Sequence, residues 1–430
     1  MAHIVNDEMV KLKRGGPLHN VSTRHAALQG GTTTLMDCLV GLRYLADSRN
    51  LVQGQAILEY EQAFARLIGV RHAYSFAHGR VGLYGLLRAL GVGPGDEVLL
   101  HVPTNIVVPN AIRYTGAQPV YIDCHLGTYN MDLEQAKRYI TPRTKVIVLQ
   151  HTFGVPADLN AVLALAHEHR LEVIEDCVHA LGATYAGRPV GSSGRAAFFS
   201  SEHTKTISTT MGGMVVTDDP DVARRMEAFQ GSCAWPSASL VARYVLKLVL
   251  LHALTQPHVH HYWRVLYDLI GQRHPLPRPT DDVEVRGERP ANYERRLSNA
   301  QAALGLRQLR RLDRNVAHRR AIAEIYREKL SAAGFDVPRP PATAEPAFVR
   351  YPVWVEDRTA TLRRASQYAK LGTWFTSVLE EAVTPECGDY VIGSCPRAEA
   401  AAEHLVNLPT HPLVTPEHAA AIVAAIMVPS

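Results

Sequence analysis

The sequence predicts an α/β fold in which a mostly parallel sheet is covered by helices on both faces and is followed by a smaller α+β domain. Three observations point there. Apolar strand-like runs alternate with helical patterns from Gly79 to Thr217. Acidic, hydroxyl and glycine residues gather where those runs end. A stretch rich in proline and charge, GQRHPLPRPTDDVEVRGERP from Gly271 to Pro290, then separates the alternating region from a long helical pattern.

The expected elements follow in order. Short apolar runs read as strands at Glu97–Leu100, Pro119–Asp123, Lys145–Gln150, Leu171–Glu175, Ala196–Ser201 and Gly213–Thr217. Between the earlier ones lie helical patterns at Ala111–Tyr114, Leu133–Tyr139 and Leu159–His169. Beyond the connector come a helical pattern over Leu297–Tyr326, a strand over Val349–Val355 and a closing helix from Pro416. The expected division is an N-terminal arm and helix over 1–53, a large domain over 54–290 with a helical insert at about 236–271, and a small domain over 291–430. There is no internal repeat and no low-complexity tract.

Composition bounds the function. A chain of 430 residues, 47% apolar and 20% charged, has ample core for two or three domains. A formal charge of +4 with interspersed signs offers no basic face for nucleic acid. Six cysteines without zinc-type spacing read as reduced core thiols, and the histidines, including His258, His260 and His261, match no standard metal site, so no metal is expected. The N-terminus lacks the continuous apolar segment of a secretory signal, and a cytoplasmic protein is expected. Leu240–Gly271 is the most membrane-like piece, but Arg243, Lys247 and His252 interrupt it before Pro257. It reads as amphipathic helices facing the chain itself or a second subunit, with contact at a membrane surface as the alternative.

Four polar features fall at strand ends. In HGRVGLYGLLRALG, Gly79, Arg80 and Val81 begin a helix whose backbone N–H groups suit a phosphate. Asp176 ends an apolar strand, with His179 about one helical turn on; Ser200 and Ser201 end another, and Lys205 follows in SSEHTKTISTTMGG among small residues. Singly, these are a helix start, a cap and a loop lysine. Together they make one chemical proposal, pyridoxal 5′-phosphate (PLP) carried on Lys205, with Asp176 holding the pyridine nitrogen protonated and the helix start and hydroxyls anchoring the phosphate.

The segments HGRVGLYGLLRALGVGPGDEVLL, NAIRYTGAQPVYID, HTFGVPADLNAV, VIEDCVHALGATYAGRPVGSSGRAAFFSSEHTK, RRLSNAQAALGLRQLRRLD and CPRAEAAAEHLVNLPTHPLVTPE resemble, in order, the sugar aminotransferases of the DegT/DnrJ/StrS type. The likeness runs from roughly Gly54 to the C-terminus. It implies a fold-type I PLP-dependent transferase with a seven-stranded sheet, Lys205 as the cofactor lysine, Asp176 at the pyridine nitrogen, His179 near the 3-oxygen or ring edge, and Ser200, Gly79 and Arg80 at the phosphate. It further implies transamination from glutamate or glutamine to a keto sugar, usually nucleotide-linked, by a homodimer with shared sites. Other PLP chemistry, on a cyclitol, a non-sugar ketone or a lipid-linked substrate, and a non-catalytic binding protein are the alternatives.

Three positions depart from the family pattern. Asn105 stands where an aromatic usually stacks on the cofactor ring, and Met211 replaces an acid in TMGG. Glu294 occupies the place of an asparagine that reaches the partner's phosphate, so that Arg295, Arg296 or Asn292 is expected to supply that contact, with Arg296 assigned to the cofactor.

Overall fold

The computed structural model describes residues 26–427 apart from 29, 258 and 261–279. Its centre is a seven-stranded sheet of β1 (His72–Phe76), β2 (Glu97–His101), β3 (Gln118–Ile122), β4 (Thr144–Gln150), β5 (Glu172–Asp176), β6 (Ala196–Ser200) and β7 (Gly213–Thr217). In space they run β1-β7-β6-β5-β4-β2-β3. Only β7 is antiparallel to its neighbours; β6, β5, β4, β2 and β3 pair in parallel. Six strands match the runs read from sequence. The seventh, β1, is the half-polar run HAYSF, in which only Ser75 and Phe76 are buried, and its weak apolar signal hides it.

Alternation along the buried strands builds two cores. Val146 and Val148 of β4 face one layer, while Ile147 and Leu149 face the other. The first layer is closed by α3 (Gly79–Ala89), α4 (Val107–Arg113) and α7 (Pro220–Ser232). The second is closed by α1 (Leu35–Ala46), α2 (Ala56–Ile68), α5 (Leu133–Tyr139), α6 (Leu159–His169) and α9 (Asn299–Leu309), with α1 packing on α9 rather than on the sheet.

The helical pattern over Leu297–Tyr326 is two helices, α9 and α10 (Leu312–Ala332). The chain breaks at Arg310–Arg311, where Arg311 and Arg307 both turn to the fully buried carboxylate of Asp37 at 2.6 and 3.1 Å. The far half of α10 packs through Ile322, Tyr326 and Leu330 on the antiparallel pair β8 (Arg350–Trp354) and β9 (Leu405–Pro409), with α11 (Arg358–Ala365) and α13 (Pro416–Met427) completing a third core. Helix α12 (Pro396–His404) leads into β9.

Of the expected helical insert, α8 (Ala238–Leu254) is described and lies along α1. A Cβ on Gly41 would come within 2.9 Å of Val245, and His252 meets the Thr33 carbonyl at 3.0 Å. Of the remainder of the insert, His258 and residues 261–271 lie outside the described residues. Among the described residues no helix is long and apolar enough to cross a membrane.

One close approach fixes the position of α3. Gly213 opens β7 between Phe76 of β1 and Ser200 of β6, and a Cβ there would sit 2.4 Å from both the Gly79 nitrogen and the His78 carbonyl carbon. Backbone cannot yield as a flexible side chain does. Gly213→Ala is therefore expected to cost about 1–3 kcal/mol by overpacking, seen as a lower urea midpoint at unchanged slope; an unchanged midpoint would mean that α3 can retreat freely.

Candidate active site

The loop after β6 returns to β7 as a braced turn. Ser201 N–H donates to the Gly212 carbonyl at 2.9 Å, Thr209 N–H to the Ser201 carbonyl at 2.9 Å, and the two hydroxyls meet at 2.7 Å. Small residues are needed, because a Cβ on Gly212 would lie 2.3 Å from the Ser201 hydroxyl. Asn315 of α10 holds the Thr206 carbonyl at 2.6 Å, and Gln308 of α9 clamps Ser208 at both its N–H and its carbonyl. Lys205 is thus delivered from a fixed loop. Its half-buried amine lies 4.6 Å from the centre of the Trp374 ring. Burial draws its pKa down to about 8, aided by the Arg350 charge and opposed by Glu202, Asp176 and Glu381.

Asp176 ends β5 with no solvent exposure. One carboxylate oxygen accepts the Val178 N–H at 3.1 Å; Oδ2 is buried with no partner. Burial pushes this carboxyl up to about 7, and the Val178 N–H and Lys205 only partly offset it. His179, also buried, stacks on Trp374 with centroids 4.9 Å apart and leaves Nδ1 unpartnered. Burial and the charges of Lys205 and Arg350 hold its pKa well below the usual histidine range, so the ring is neutral at neutral pH.

Beside the same strand ends, α3 begins at buried Gly79 after His78, and no side chain caps its first N–H groups. A Cβ on Gly79 would lie 3.0 Å from the Phe199 carbonyl, so this helix start abuts the end of β6, where the Ser200 hydroxyl is only weakly engaged, 3.5 Å from the Gly212 carbonyl. The Arg80 guanidinium is committed elsewhere, to Glu284 at 2.8 Å, which leaves its backbone N–H for the cradle.

The departures resolve individually. Asn105 is tied down, its amide donating to Glu381 at 3.2 Å and its oxygen accepting the Val107 N–H at 3.1 Å. The aromatic ring beside Lys205 and His179 is instead Trp374, from the segment after α11. Thr104–Asn105 pair with Leu379–Glu380, which brings that segment to the site. Met211 is buried, and its carbonyl accepts from Thr209 and Gln301. Glu294 is neutralised by Arg289, not by Arg295 or Arg296. Arg296 donates to the Gln230 carbonyl at 2.7 Å and lies over Trp235 in its own chain, while Arg295 and Asn292 line an open cavity with His78 and Arg80.

Sequence reasoning missed Trp374 and Arg350, whose guanidinium carbon is 3.4 Å from the Trp374 ring centre. Both lie far along the chain in segments without a motif of their own. His151, Glu175 and Cys177 also come together in the core. Glu175, however, already accepts N–H groups from Gly191, Ser193 and Gly194 and meets His151, whose other nitrogen accepts from Ala157, so this cluster braces β4 and β5.

These features fit the cofactor inferred from sequence. The orphaned Asp176 oxygen suits a pyridine N–H, the uncapped helix start suits a phosphate, and an amine of depressed basicity suits an aldehyde. Comparison with known proteins agrees. Residues 39–427 match the DegT/DnrJ/EryC1/StrS aminotransferase family. GDP-perosamine synthase of Caulobacter vibrioides is 33% identical over 380 residues, 87% of this chain and 90% of that protein. UDP-N-acetyl-3-dehydro-alpha-D-glucosamine 3-aminotransferase of Acidithiobacillus ferrooxidans is 38% identical over 200 residues, 46% of this chain and 54% of that one. The crystal structure of an aminotransferase from Psychrobacter cryohalolentis superposes with a TM-score of 0.72 at 26% identity, covering 92% of this chain and 96% of the other.

The raised carboxyl makes a stability prediction. Folded Asp176 keeps its proton up to about pH 7, whereas the unfolded chain loses it near the ordinary value of about 3.9. The folded state binds more protons in that window, so the cofactor-free protein loses stability as pH rises from about 4 through 7. Asp176→Asn should melt higher than the parent at pH 8, by on the order of 2 kcal/mol, and match it more closely at pH 5. Parallel melting curves at both pH values would show that the carboxylate is not held under strain.

Proposed function

The chain belongs to the DegT/DnrJ/EryC1/StrS aminotransferase family, and from that premise we propose that it moves the amino group of glutamate or glutamine to a keto group on a nucleotide-linked sugar, with PLP as cofactor. The observation that carries this reading is the buried, unpartnered oxygen of Asp176 within the same cluster as the Lys205 amine. When bound, PLP supplies an aldehyde that takes up amines and a ring that draws electrons from the adjoining carbon.

The residues divide the remaining work. Asp176 accepts a hydrogen bond from the ring nitrogen and stabilises its proton. Gly79, Arg80 and Ser200 hold the phosphate through backbone N–H groups and a hydroxyl. His179, neutral and with Nδ1 free, orients the ring edge. Lys205, at a pKa of about 8, is neutral in about a tenth of molecules near pH 7, and its amine would serve as the base that takes up and returns the substrate's proton. Trp374 covers His179 and Lys205 and limits water.

The acceptor class rests on the named relatives, which act on GDP- and UDP-linked sugars. We also read the working unit as a homodimer. Leu35, Met36 and Leu39 leave an apolar face exposed on α1, and Arg295, rather than the internally bound Arg296, is free to reach a neighbouring phosphate. A reducing, cytoplasmic setting suits the six unpaired cysteines.

Borohydride treatment of the yellow protein should fix the cofactor mass on the Lys205 peptide. Labelled glutamate and a panel of keto-sugar nucleotides should then give a labelled amino sugar, and Lys205→Ala should lower turnover by about a thousandfold or more. A colourless protein that takes up no PLP would end this reading.

For the dimer, mixing Lys205→Ala with Arg295→Glu should restore activity, since a mixed dimer contains one site with both residues intact. Failure to complement in proven heterodimers would assign each site to a single chain.

A further inference from the structure

Glu202 stands in the turn between the two loop residues assigned above to the cofactor. Its N–H donates to the Ser200 hydroxyl at 3.3 Å, and its carbonyl accepts the Lys205 N–H at 3.0 Å. The side chain folds back over the same turn. Oε2 accepts the Thr204 N–H at 3.0 Å and the Thr204 hydroxyl, and Oε1 lies against His203 Nδ1, with 12% of the side chain exposed. A carboxylate held at both oxygens cannot swing into solvent without giving up those contacts. It is also the one acid between Ser200 and Gly213.

Lys205 needs a counter-charge that moves with it. Its amine and the Arg350 guanidinium lie 4.6 and 3.4 Å from the centre of the Trp374 ring, so two cations share one neighbour away from bulk water. The groups facing Lys205 are Glu202 from its own loop, Asp176 of β5, Glu381 from the segment after α11, Arg350 of β8 and the buried His179. Two of the three acids are committed elsewhere: Asp176 is the partner proposed for the ring nitrogen, and Glu381 takes the Asn105 amide at 3.2 Å and the Thr280 hydroxyl. The groups facing Glu202 are His203, Lys205, Arg350 and His78 at the start of α3. Burial by itself would raise the Glu202 carboxyl, but His203, Lys205 and the Thr204 hydroxyl hold it below the ordinary carboxylate range and keep it ionised near neutral pH. Burial lowers Lys205, and Glu202 opposes that more than Asp176 or Glu381 does.

We propose that Glu202 is a positioning residue for the lysine chemistry: its fixed charge holds a proton on the Lys205 amine and thereby sets the pH range in which the enzyme takes up PLP and turns over. This rests on Lys205 being the cofactor lysine. The direction follows from the chemistry. A neutral amine is the form that attacks an aldehyde, so removing the anion beside a buried amine favours the attacking form and moves the profile to lower pH.

The test compares the parent with Glu202→Gln, whose amide oxygen still accepts from Thr204 while the charge is gone. Cofactor-free protein is mixed with PLP, and the rate at which the visible band grows is followed from about pH 6 to about pH 10. The cofactor's own titrations are common to both proteins, so the ratio of rates reports the lysine. The parent midpoint should lie at about 8. Glu202→Gln should lower it by about one unit, which makes uptake at pH 7 about fivefold faster relative to each protein's own high-pH rate. The acidic limb of the kcat profile should move with it. Glu202→Asp, which keeps the charge and can cap the same N–H, should return the midpoint to the parental value; a purely structural role would not sort the variants by charge. If Glu202→Gln does not fold, Glu202→Ser, whose hydroxyl closes the same turn without charge, should show the same shift.

A parental midpoint in a folded uncharged variant, or a shift in Glu202→Asp as large as in Glu202→Gln, would overturn the proposal. Arylation of Lys205 by fluorodinitrobenzene, read as mass on its peptide, gives the same midpoint without PLP. A protein that took up no cofactor would therefore end the transaminase reading while the role of Glu202 was still decided.

Discussion

A carboxyl group with one oxygen left unpartnered, at the buried end of β5, is the constraint around which this protein is arranged. Asp176 has no solvent exposure, and one of its oxygens meets nothing. Burying a polar group unsatisfied works against folding unless a ligand repays the cost. The surrounding structure tolerates the penalty because its neighbour Glu175 points to the opposite face of β5 and is fully satisfied by three N–H groups and His151. Strand alternation thus separates a structural acid from a chemical one at adjacent positions.

The same logic extends around the site. Burial lowers the pKa of both Lys205 and His179, and Arg350 adds a positive field that shifts each further toward its neutral state. Such departures from ordinary acidity concentrate where chemistry occurs. The glycines serve the site by subtraction. Gly213 lets α3 come against β7, and Gly212 lets the lysine loop fold back on Ser201. Each omits a Cβ that would otherwise displace a backbone or a hydroxyl.

Two layers meet at the reactive end. The sheet supplies the acid, the lysine loop and the helix start; the segment between α11 and α12 supplies Trp374 and, through Leu379–Glu380, a short ladder to Thr104–Asn105. That ladder explains why Asn105 can lack a ring. Its carboxamide stitches the two parts together through Glu381 and the Val107 N–H, and an indole from across the ladder takes up the space beside Lys205.

The sequence alone determined the alternating elements of the large domain, because buried parallel strands are short apolar runs that stand out wherever they occur. It also singled out Asp176, His179, Ser200 and Lys205 as a candidate set, because each lies at the end of a strand or within a few residues beyond it and local order along the chain is retained in space. Only the tertiary structure decided the rest. The half-polar edge strand β1 carries too little apolar signal to be read locally. The break between α9 and α10 depends on Asp37, some 270 residues earlier, drawing in Arg307 and Arg311. Arg289 rather than Arg295 or Arg296 neutralises Glu294 through side-chain packing that spacing cannot rank. Trp374 and Arg350 reach the site through pairings between Thr104–Asn105 and Leu379–Glu380 and between β8 and β9, contacts between distant segments that no local pattern encodes.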